Sequence, residues 1–289
     1  LGVSLIIAPW NYPVQLLLNP LVGAIGAGCT AVLKPSPYVP NVAMVLERII
    51  KATFDEEYIA IVQGNREVNT ALLKERYDII FFTGSPDLGR VVMRAAAENL
   101  TPVVLELGGK SPVIIDRTAD IKLAAKRVAW GKSLNAGQTC IAPDYLLIHS
   151  EVKEQFVEAY KNALHELLGD DASKSEHYVR MVSDKAFKRV SSYLNDGRIR
   201  CGGATNAEER YIEPTLLDQV SPDSAIMREE IFGPVLPMIE IESTDEAIHF
   251  ILQREKPLAL YVFAEQQEAE RVVNLTSSGG ACINDVIMH

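Results

Sequence analysis

The stretch Ile79-Ile-Phe-Phe-Thr-Gly-Ser-Pro-Asp-Leu-Gly89 runs from an apolar segment, through a turn that contains glycine, into a helical pattern. A short apolar run of this length predicts a buried β-strand over 79–83. Apolar side chains then recur at helical spacing over 87–99, at Leu88, Val91, Val92 and Ala95. The turn offers backbone N–H groups and a helix N-terminus to a phosphate group. Because it is not a G-x-G-x-x-G fingerprint, the turn alone is weak evidence for a phosphate site.

The same alternation of short apolar runs and longer helical segments extends on both sides of this stretch. Strands are predicted over 3–8, 30–34, 58–63, 79–83 and 102–107, and helices over 13–27, 42–53, 66–74 and 87–99. Such alternation is typical of right-handed βαβ units that build a parallel sheet with helices on both faces. Strands covered on both faces are expected to be apolar almost throughout, as these strands are.

A second alternation begins after the glycine pair Gly108-Gly109. Its predicted strands are 112–116, 145–149, 235–241, 259–264 and 281–284, and its predicted helices are 121–134, 152–168, 184–194, 245–253 and 267–275. Thr244 precedes two acidic residues and is predicted to cap the fourth of these helices. The sequence therefore predicts an α/β protein with two lobes that meet near residue 108.

Composition and charge exclude several classes of protein. The chain has 289 residues, of which 48% are hydrophobic and 23% charged, as in globular proteins rather than disordered or fibrous ones. The net charge of 28 − 38 = −10 argues against nucleic acid as a partner. The charge is uneven: residues 1–110 carry 9 − 10 = −1 and residues 111–289 carry 19 − 28 = −9. A nearly neutral first part suits a region that receives an anion such as a dinucleotide.

The cysteines and histidines do not form a disulfide framework or a metal-binding motif. The four cysteines are widely spaced without a C-x-x-C pair, and the five histidines form no H-x-x-x-H pattern. Reduced thiols in a cytoplasmic protein without a metal fit this pattern best. The first 33 residues are uncharged, but Pro, Asn and Gln interrupt them and no basic residue precedes Lys34. Neither a membrane helix nor a signal peptide is therefore predicted there.

Three residues stand out as candidates for catalysis. Cys140 follows a predicted helix in a polar segment that contains glycine, as a nucleophilic thiolate on a turn would; a buried packing role is the alternative. Glu106 lies in an apolar strand, where it is either a desolvated general base or half of an ion pair with Lys110. Asn11 lies between two prolines at a strand end, in a rigid turn or as a hydrogen-bond donor to an oxyanion.

Together these segments resemble the aldehyde dehydrogenase superfamily. The matching stretches occur in the order of the family and span nearly the whole chain: Pro9-Trp-Asn-Tyr-Pro13, Lys34-Pro-Ser36, Phe82-Thr-Gly-Ser85 with Gly89, Leu105-Glu-Leu-Gly-Gly-Lys110, Gly137-Gln-Thr-Cys140 and Glu229-Glu-Ile-Phe-Gly-Pro234. The segment from Ser278 to His289 is similar to the class 3, or fatty-aldehyde, branch. The resemblance implies a Rossmann-type parallel-sheet lobe that binds dinucleotide, residues 1–107, and a second α/β catalytic lobe, residues 108–289.

The resemblance also implies roles for individual residues. Cys140 would attack the aldehyde, Asn11 and the backbone N–H of Cys140 would hold the oxyanion, and Glu106 would activate the water that hydrolyses the thioester. Lys34 would bind the adenine-side ribose, and Ser85 would bind the pyrophosphate. Glu230 and Phe232 would position the nicotinamide end. The remaining residues implied to bind the cofactor are Ser36, Gly84, Gly89 and Leu107.

Two departures from the family pattern shape the expectations. Many relatives that prefer NAD have Glu three residues after the lysine, where this chain has Pro37, so we expect NADP to be accepted alongside NAD. The resemblance also implies further family segments before and after this chain, including an arm used in oligomerisation, so the chain is interpreted as the central part of a protein expected to be a homodimer. An acylating enzyme that uses coenzyme A and an inactive dinucleotide-binding fragment are the alternative functions.

Overall fold

The structure, a computed structural model, describes residues 2–289 and divides the chain into two units, Leu1–Leu107 and Gly108–His289. In the first unit the strands are β1 (Val3–Ile7), β2 (Thr30–Lys34), β3 (Ile59–Ile61), β4 (Ile79–Gly84) and β5 (Val103–Leu107). The helices between them are α1 (Gln15–Gly26), α2 (Pro40–Thr53), α3 (Arg66–Leu72) and α4 (Pro86–Ala97). All five strands are parallel, in the order β3-β2-β1-β4-β5. The sequence of helices and strands thus builds successive βαβ crossovers.

The central strand β1 explains why this sheet is covered on both faces. Leu5 and Ile7 pack into one buried cluster, and Ile6 and Ala8 pack into another. Because successive side chains of a strand point to opposite faces, an uninterrupted apolar run supplies a core on each side. The order of the strands reverses between β1 and β4, and ligands of such sheets bind at the carboxyl ends of the strands beside this reversal.

The second unit is built on a seven-stranded sheet. Its strands are β6 (Pro112–Ile115), β7 (Tyr145–His149), β8 (Arg198–Cys201), β11 (Thr215–Asp218), β12 (Val235–Ile241), β13 (Ala259–Phe263) and β14 (Gly280–Ile283), in the order β14-β13-β6-β7-β12-β11-β8. A small hairpin joins β9 (Thr205–Asn206) and β10 (Tyr211–Ile212). The helices are α5 (Ile121–Ser133), α6 (Lys153–Leu168), α7 (Asp184–Ser192), α8 (Ala225–Arg228), α9 (Thr244–Leu252) and α10 (Gln266–Leu275). Only the edge strand β8 runs antiparallel to its neighbour in this sheet.

The predicted α/β fold, with a Rossmann-type parallel sheet in one lobe and a second α/β lobe, is confirmed. The region 198–218 is where the sequence-based prediction was incomplete, because β8, β9, β10 and β11 are two to four residues long. Such short segments carry little periodicity, and their strand character comes from pairing with neighbours. Cys201 is the last residue of β8.

The predicted cap of helix α9 was wrong by one residue. Ser243 is the N-cap, and its hydroxyl accepts a hydrogen bond from the backbone N–H of Glu246 at 3.3 Å. Thr244 is instead the first helical residue, and its side chain contacts Glu268. Adjacent serine and threonine are both good caps, and the backbone conformation decides which one is used.

Among residues 2–289, no helix is long and apolar enough to cross a membrane.

Candidate active site

Four of the predicted site residues lie at one edge of the parallel sheet in the first unit. Lys34 is the last residue of β2, Asn11 lies in the bend after β1, Ser85 follows β4, and Glu106 lies near the end of β5. These strands are neighbours in the order β2-β1-β4-β5, and all run in the same direction. Their carboxyl ends therefore meet at one edge, where ligands bind in open α/β sheets.

Lys34 and Ser36 are buried at the end of β2. The Lys34 side chain is only 1% exposed, and its Nζ donates a hydrogen bond to the carbonyl of Pro35 at 2.8 Å. Burial lowers the pKa of Lys34. The Ser36 hydroxyl accepts a hydrogen bond from the backbone N–H of Tyr38 at 3.3 Å. These contacts orient the lysine, whose ammonium has three donors, at the edge of the sheet.

The turn after β4 has the features of a phosphate-binding turn. Ser85 caps the twelve-residue helix α4, with its hydroxyl accepting from the backbone N–H of Leu88 at 3.5 Å. A Cβ added at Gly89 would lie 2.8 Å from Leu107, so glycine allows the helix to pack closely against β5. The buried Thr83 hydroxyl has no hydrogen-bond partner among the described residues. An orphaned hydroxyl beside a helix N-terminus fits the pyrophosphate of a dinucleotide.

Glu106 lies level with Thr83 of the neighbouring strand. Its side chain is half-buried, and burial raises its pKa. Lys110, considered above as an ion-pair partner for Glu106, donates instead to Asp144 at 2.5 Å. A carboxylate that is desolvated but not neutralised by a cation is a stronger base than an exposed one.

In the second unit, a reversal of the chain after α5 places Cys140 on a turn. Asn135, Ala136 and Gly137 have φ angles of 50°, 52° and 71°, so three successive residues adopt the left-handed conformation. The chain then forms a turn in which the N–H of Ala142 bonds the carbonyl of Thr139 at 3.0 Å. Cys140 lies inside this turn and is half-buried. The thiol is thus outside the regular helix and outside the fully buried core.

The side chain of Gln138 secures this turn. Its Nε2 donates to the carbonyl oxygens of Asn135 at 3.0 Å and Arg180 at 3.2 Å, and its Oε1 accepts from the N–H of Val182 at 3.0 Å. Gln138 is almost fully buried. One amide therefore holds the cysteine turn to the segment before helix α7. This role of Gln138 was not predicted from the sequence; its place two residues before the cysteine was the available signal.

The segment from Glu229 to Pro234 packs beside the cysteine turn. The guanidinium of Arg189 donates to the carbonyls of Glu230 at 3.1 Å and Ile231 at 2.8 Å. A Cβ added at Gly137 would clash with the carbonyl oxygen of Gly233. Glycine at position 137 thus lets the backbones of the cysteine turn and the Glu230 segment approach each other. Phe232, the second residue predicted to position the nicotinamide, has a φ of 47°.

Glu230 directs its carboxyl group inward. It accepts a hydrogen bond from the backbone N–H of Gly109, and it lies where a Cβ of Gly108 would otherwise be. Burial raises the pKa of Glu230 to about 8. The structure therefore brings Glu230 together with the Gly108-Gly109 turn and places its segment beside the turn that bears Cys140.

Among residues 2–289, no cluster of three or more His, Cys, Asp or Glu side chains could hold a metal ion.

The parallel sheet and its strand order define a Rossmann-type α/β protein. The chain belongs to the aldehyde dehydrogenase family, whose profile it matches over residues 1–289.

Individual relatives support the resemblance to the class 3 branch. The chain is 52% identical to the 4,4'-diaponeurosporen-aldehyde dehydrogenase of Staphylococcus aureus, 48% to aldehyde dehydrogenase family 3 member A2 of Rattus norvegicus and 47% to the dimeric NADP-preferring aldehyde dehydrogenase of the same animal. All of this chain is covered, but only 63%, 60% and 64% of those proteins, respectively. A solved structure of the substrate-bound state of Staphylococcus aureus AldH superposes with a TM-score of 0.97 at 52% identity, covering 99% of this chain and 63% of that one.

The close approach of Gly137 and Gly233 leads to the first prediction. Gly137→Ala would place a methyl group against the carbonyl of Gly233 in a left-handed conformation, and we expect a lower Tm and a loss of unfolding free energy of about 2–4 kcal/mol. Gly169→Ala is the matched control, because Gly169 also has a positive φ of 81° but no atom within 4 Å of the added Cβ. Its expected loss comes from the backbone conformation alone, about 1–3 kcal/mol, and is smaller than the loss in Gly137→Ala. Equal losses in the two variants, measured by urea unfolding, would contradict the packing argument.

Proposed function

We propose that this protein is an NAD(P)-dependent aldehyde dehydrogenase that oxidises an aldehyde to a carboxylic acid. The observation that carries this proposal is the presence of Asn11, Glu106 and Cys140 together in a member of the aldehyde dehydrogenase family. The half-buried Cys140 lies on a turn, and burial raises the pKa of Glu106, as a nucleophile and a general base require.

In the proposed reaction Cys140 forms the covalent intermediate. Its thiolate attacks the carbonyl carbon, a C–S bond forms, and the carbonyl π-electrons move onto oxygen as an alkoxide. The side-chain amide of Asn11 and the backbone N–H of Cys140 donate hydrogen bonds to this oxyanion; loss of one such donor lowers turnover about 10²–10³-fold. A nicotinamide held by Glu230 and Phe232 would supply the acceptor for the hydride of this carbon. As the hydride leaves, the alkoxide electrons re-form the carbonyl, and the product is a thioester of Cys140.

Glu106 is assigned to the hydrolysis of the thioester. Its carboxylate removes a proton from water, the water oxygen attacks the thioester carbon, and the C–S bond breaks to release the carboxylic acid and the Cys140 thiolate. Because burial raises the pKa of Glu106, its carboxylate binds a proton more readily than an exposed one. An enzyme that passes the acyl group to coenzyme A does not need this base, so Glu106 favours hydrolysis.

The residues around the strand ends of the first unit fit a dinucleotide. Lys34 and Ser36 are assigned to the adenine-side ribose, and Gly84, Ser85 and Gly89 to the pyrophosphate, at the N-terminus of helix α4. Leu107 packs against Gly89 and shapes this end of the sheet. In the second unit, Glu230 and Phe232 are assigned to the nicotinamide ribose and ring.

The relatives indicate the class of substrate and the assembly. We infer a medium or long aliphatic or aromatic aldehyde as substrate, from the resemblance to the class 3, or fatty-aldehyde, branch. In support, one relative is a member of aldehyde dehydrogenase family 3, and another is named 4,4'-diaponeurosporen-aldehyde dehydrogenase. We infer a homodimer, because a relative with 47% identity is named as dimeric.

Substitution of the nucleophile and of the base separates the two halves of the reaction. Cys140→Ala removes the attacking sulfur, so we expect no reduced nicotinamide above background when NAD and an aldehyde such as hexanal are added. Glu106→Gln retains the nucleophile, so we expect one equivalent of reduced nicotinamide per site and then turnover about 10²–10⁴-fold slower than in the unsubstituted protein. Mass spectrometry of this variant is expected to show the acyl group on Cys140.

The control for these substitutions is Glu98→Gln, which changes an exposed carboxylate near the end of helix α4. In the unsubstituted protein, acid release should increase as the pH rises through the raised pKa of Glu106, since only the ionised carboxylate accepts a proton. Turnover that requires coenzyme A would identify an acylating enzyme. Binding of NAD without any burst in the unsubstituted protein would identify a dinucleotide-binding protein without dehydrogenase activity.

Pro37 gives a prediction about the choice of cofactor. Pro37 is exposed three residues after Lys34, and it carries no charge that would repel a 2′-phosphate. We expect kcat/KM for NADP to lie within about a thousandfold of that for NAD, a difference of at most ~4 kcal/mol. Pro37→Glu should shift the ratio towards NAD by about tenfold or more, because the carboxylate repels the 2′-phosphate and accepts from a 2′-hydroxyl. Pro37→Gln controls for loss of the proline ring; an equal shift in both variants would show that charge is not the cause.

A further inference from the structure

Four charged side chains of the second unit form one cluster, in which Lys132 and Asp144 are buried and Lys110 and Glu230 are half-buried. Two of them satisfy each other. Lys110 Nζ donates to Asp144 at 2.5 Å and to the carbonyls of Ile226 at 2.8 Å and Glu229 at 3.0 Å. The other Asp144 oxygen accepts from the N–H of Ile231 at 2.9 Å. The cluster thus contains one complete ion pair and a second cation and anion, Lys132 and Glu230.

Lys132 is buried without a hydrogen-bond partner. It lies in the last turn of helix α5, is 1% exposed, and its Nζ contacts no acceptor among the described residues. An ammonium group in this environment loses its hydration and forms no hydrogen bond in return, which destabilises the folded protein. Burial accordingly lowers the pKa of Lys132 to about 8. A side chain that destabilises the fold at this position calls for an explanation in function.

Glu230 is the complementary group. Its Oε1 is buried and has no hydrogen-bond partner among residues 2–289, while the carboxyl group accepts from the N–H of Gly109. Lys132 and Glu230 do not approach within the 4.0 Å of an ion pair in the described part of the chain. They interact through space nevertheless: burial and Asp144 raise the pKa of Glu230, while the N–H of Gly109, the charge of Lys110 and, to a smaller extent, the charge of Lys132 lower it. Each of the two side chains thus has a buried polar atom without a hydrogen-bond partner, and the charge of each affects the ionisation of the other.

We propose that Lys132 is a positioning residue, whose buried ammonium favours the ionised carboxylate of Glu230 and orients it for the hydroxyl groups of the nicotinamide ribose. This inference rests on the proposed function, which assigns Glu230 to that ribose. A carboxylate accepts hydrogen bonds from both ribose hydroxyls, whereas a protonated carboxyl group has one oxygen that is a donor. Lys132 therefore acts on the cofactor only through Glu230.

The sign of the pH dependence follows from the charges around Glu230. The titratable groups that face it are Lys110, Lys132 and Asp144, and the first of these is already paired with the last. Below pH 8 the buried Glu230 is mostly neutral, because its pKa is raised to about 8. Removing the Lys132 charge takes away a group that lowers this pKa, so ionisation of Glu230 moves to still higher pH. Cofactor binding should then require a more alkaline solution.

The test compares Lys132→Met with Lys126→Met in the intact protein. Lys132→Met keeps the length of an apolar stem at the buried position, and Lys126→Met removes an exposed lysine of the same helix. Ionisation of Glu230 is followed by NMR of protein labelled with 13C at the glutamate carboxyl carbons, with the resonance identified by its loss in Glu230→Gln. In Lys132→Met we expect the midpoint to rise by about half a pH unit, because one of several groups that favour the carboxylate is removed. An unchanged midpoint would overturn the proposal.

Binding of NAD provides a second measurement that does not depend on turnover. A rise of about half a pH unit lowers the ionised fraction of Glu230 at pH 8 about twofold, so we expect Kd for NAD to increase by about the same factor in Lys132→Met and to recover towards pH 10. Lys126→Met should bind NAD as the unsubstituted protein does. Because an unpaired buried charge is replaced by an apolar group, Tm of Lys132→Met should be unchanged or higher. A lower Tm with weaker binding at every pH would show a structural role and overturn the proposal.

The double variant Lys132→Met/Glu230→Gln tests whether Lys132 acts through Glu230. If it does, the double variant binds NAD as Glu230→Gln alone does, because no ionisable carboxyl group remains for the lysine to affect. Independent, additive losses would overturn the proposal. Failure of the proposed function is recognised separately, since the unsubstituted protein would then not oxidise an aldehyde, whereas the NMR midpoint would still report on Lys132 and Glu230.

Discussion

The ion pair and hydrogen bonds of the buried Asp144 carboxylate are the interactions on which the second unit depends most. Asp144 is 3% exposed, and its carboxylate accepts hydrogen bonds from the ammonium of Lys110 and the backbone N–H of Ile231. The backbone N–H of Asp144 donates to the carbonyl of Ser111. A buried carboxylate is tolerated only when its oxygens are satisfied, so these segments must come together when the unit folds. Cys140 lies four residues before Asp144, and Glu230 lies one residue before Ile231. The position of both candidate site residues thus follows from one ion pair and its hydrogen bonds.

The rest of that unit supports the same arrangement by backbone contacts rather than by packing alone. Gln138 bonds the segment before helix α7, Arg189 bonds the carbonyls of Glu230 and Ile231, and Gly137 allows close approach to Gly233. These contacts hold irregular segments, which have no ladder of secondary-structure hydrogen bonds, in a defined conformation. The polar groups of these contacts are hydrogen-bonded, whereas Lys132 Nζ and Glu230 Oε1 are buried without a partner. Buried polar atoms without partners are expected at functional sites.

Prediction from sequence succeeded where the signal is local and failed where it is not. The strands of the first sheet were recognisable because a strand buried on both faces is apolar at every position, as Leu5, Ile6 and Ile7 are. The strands β8 to β11 were not, because each has at most four residues and its conformation depends on a neighbour in the sheet. The site residues Asn11, Glu106 and Cys140 were proposed from motifs, and their roles remain predictions. Asp144 and Gln138 were missed, since their contacts join residues far apart in the chain. Lys132 was missed because only the fold shows that its ammonium group is buried.

By itself, the sequence determined the class of fold, the family and the candidate nucleophile and base, because apolar periodicity and short motifs are written in neighbouring residues. Only the tertiary structure decided the state of the charged groups. Lys110, Lys132, Asp144 and Glu230 are separated by up to 120 residues, and nothing in their local sequences says which will be paired. Burial and proximity in the fold pair Lys110 with Asp144 and leave Lys132 and Glu230 to influence each other's ionisation. The strength of a charge depends on its desolvation and its neighbours, and these exist only once the chain has folded.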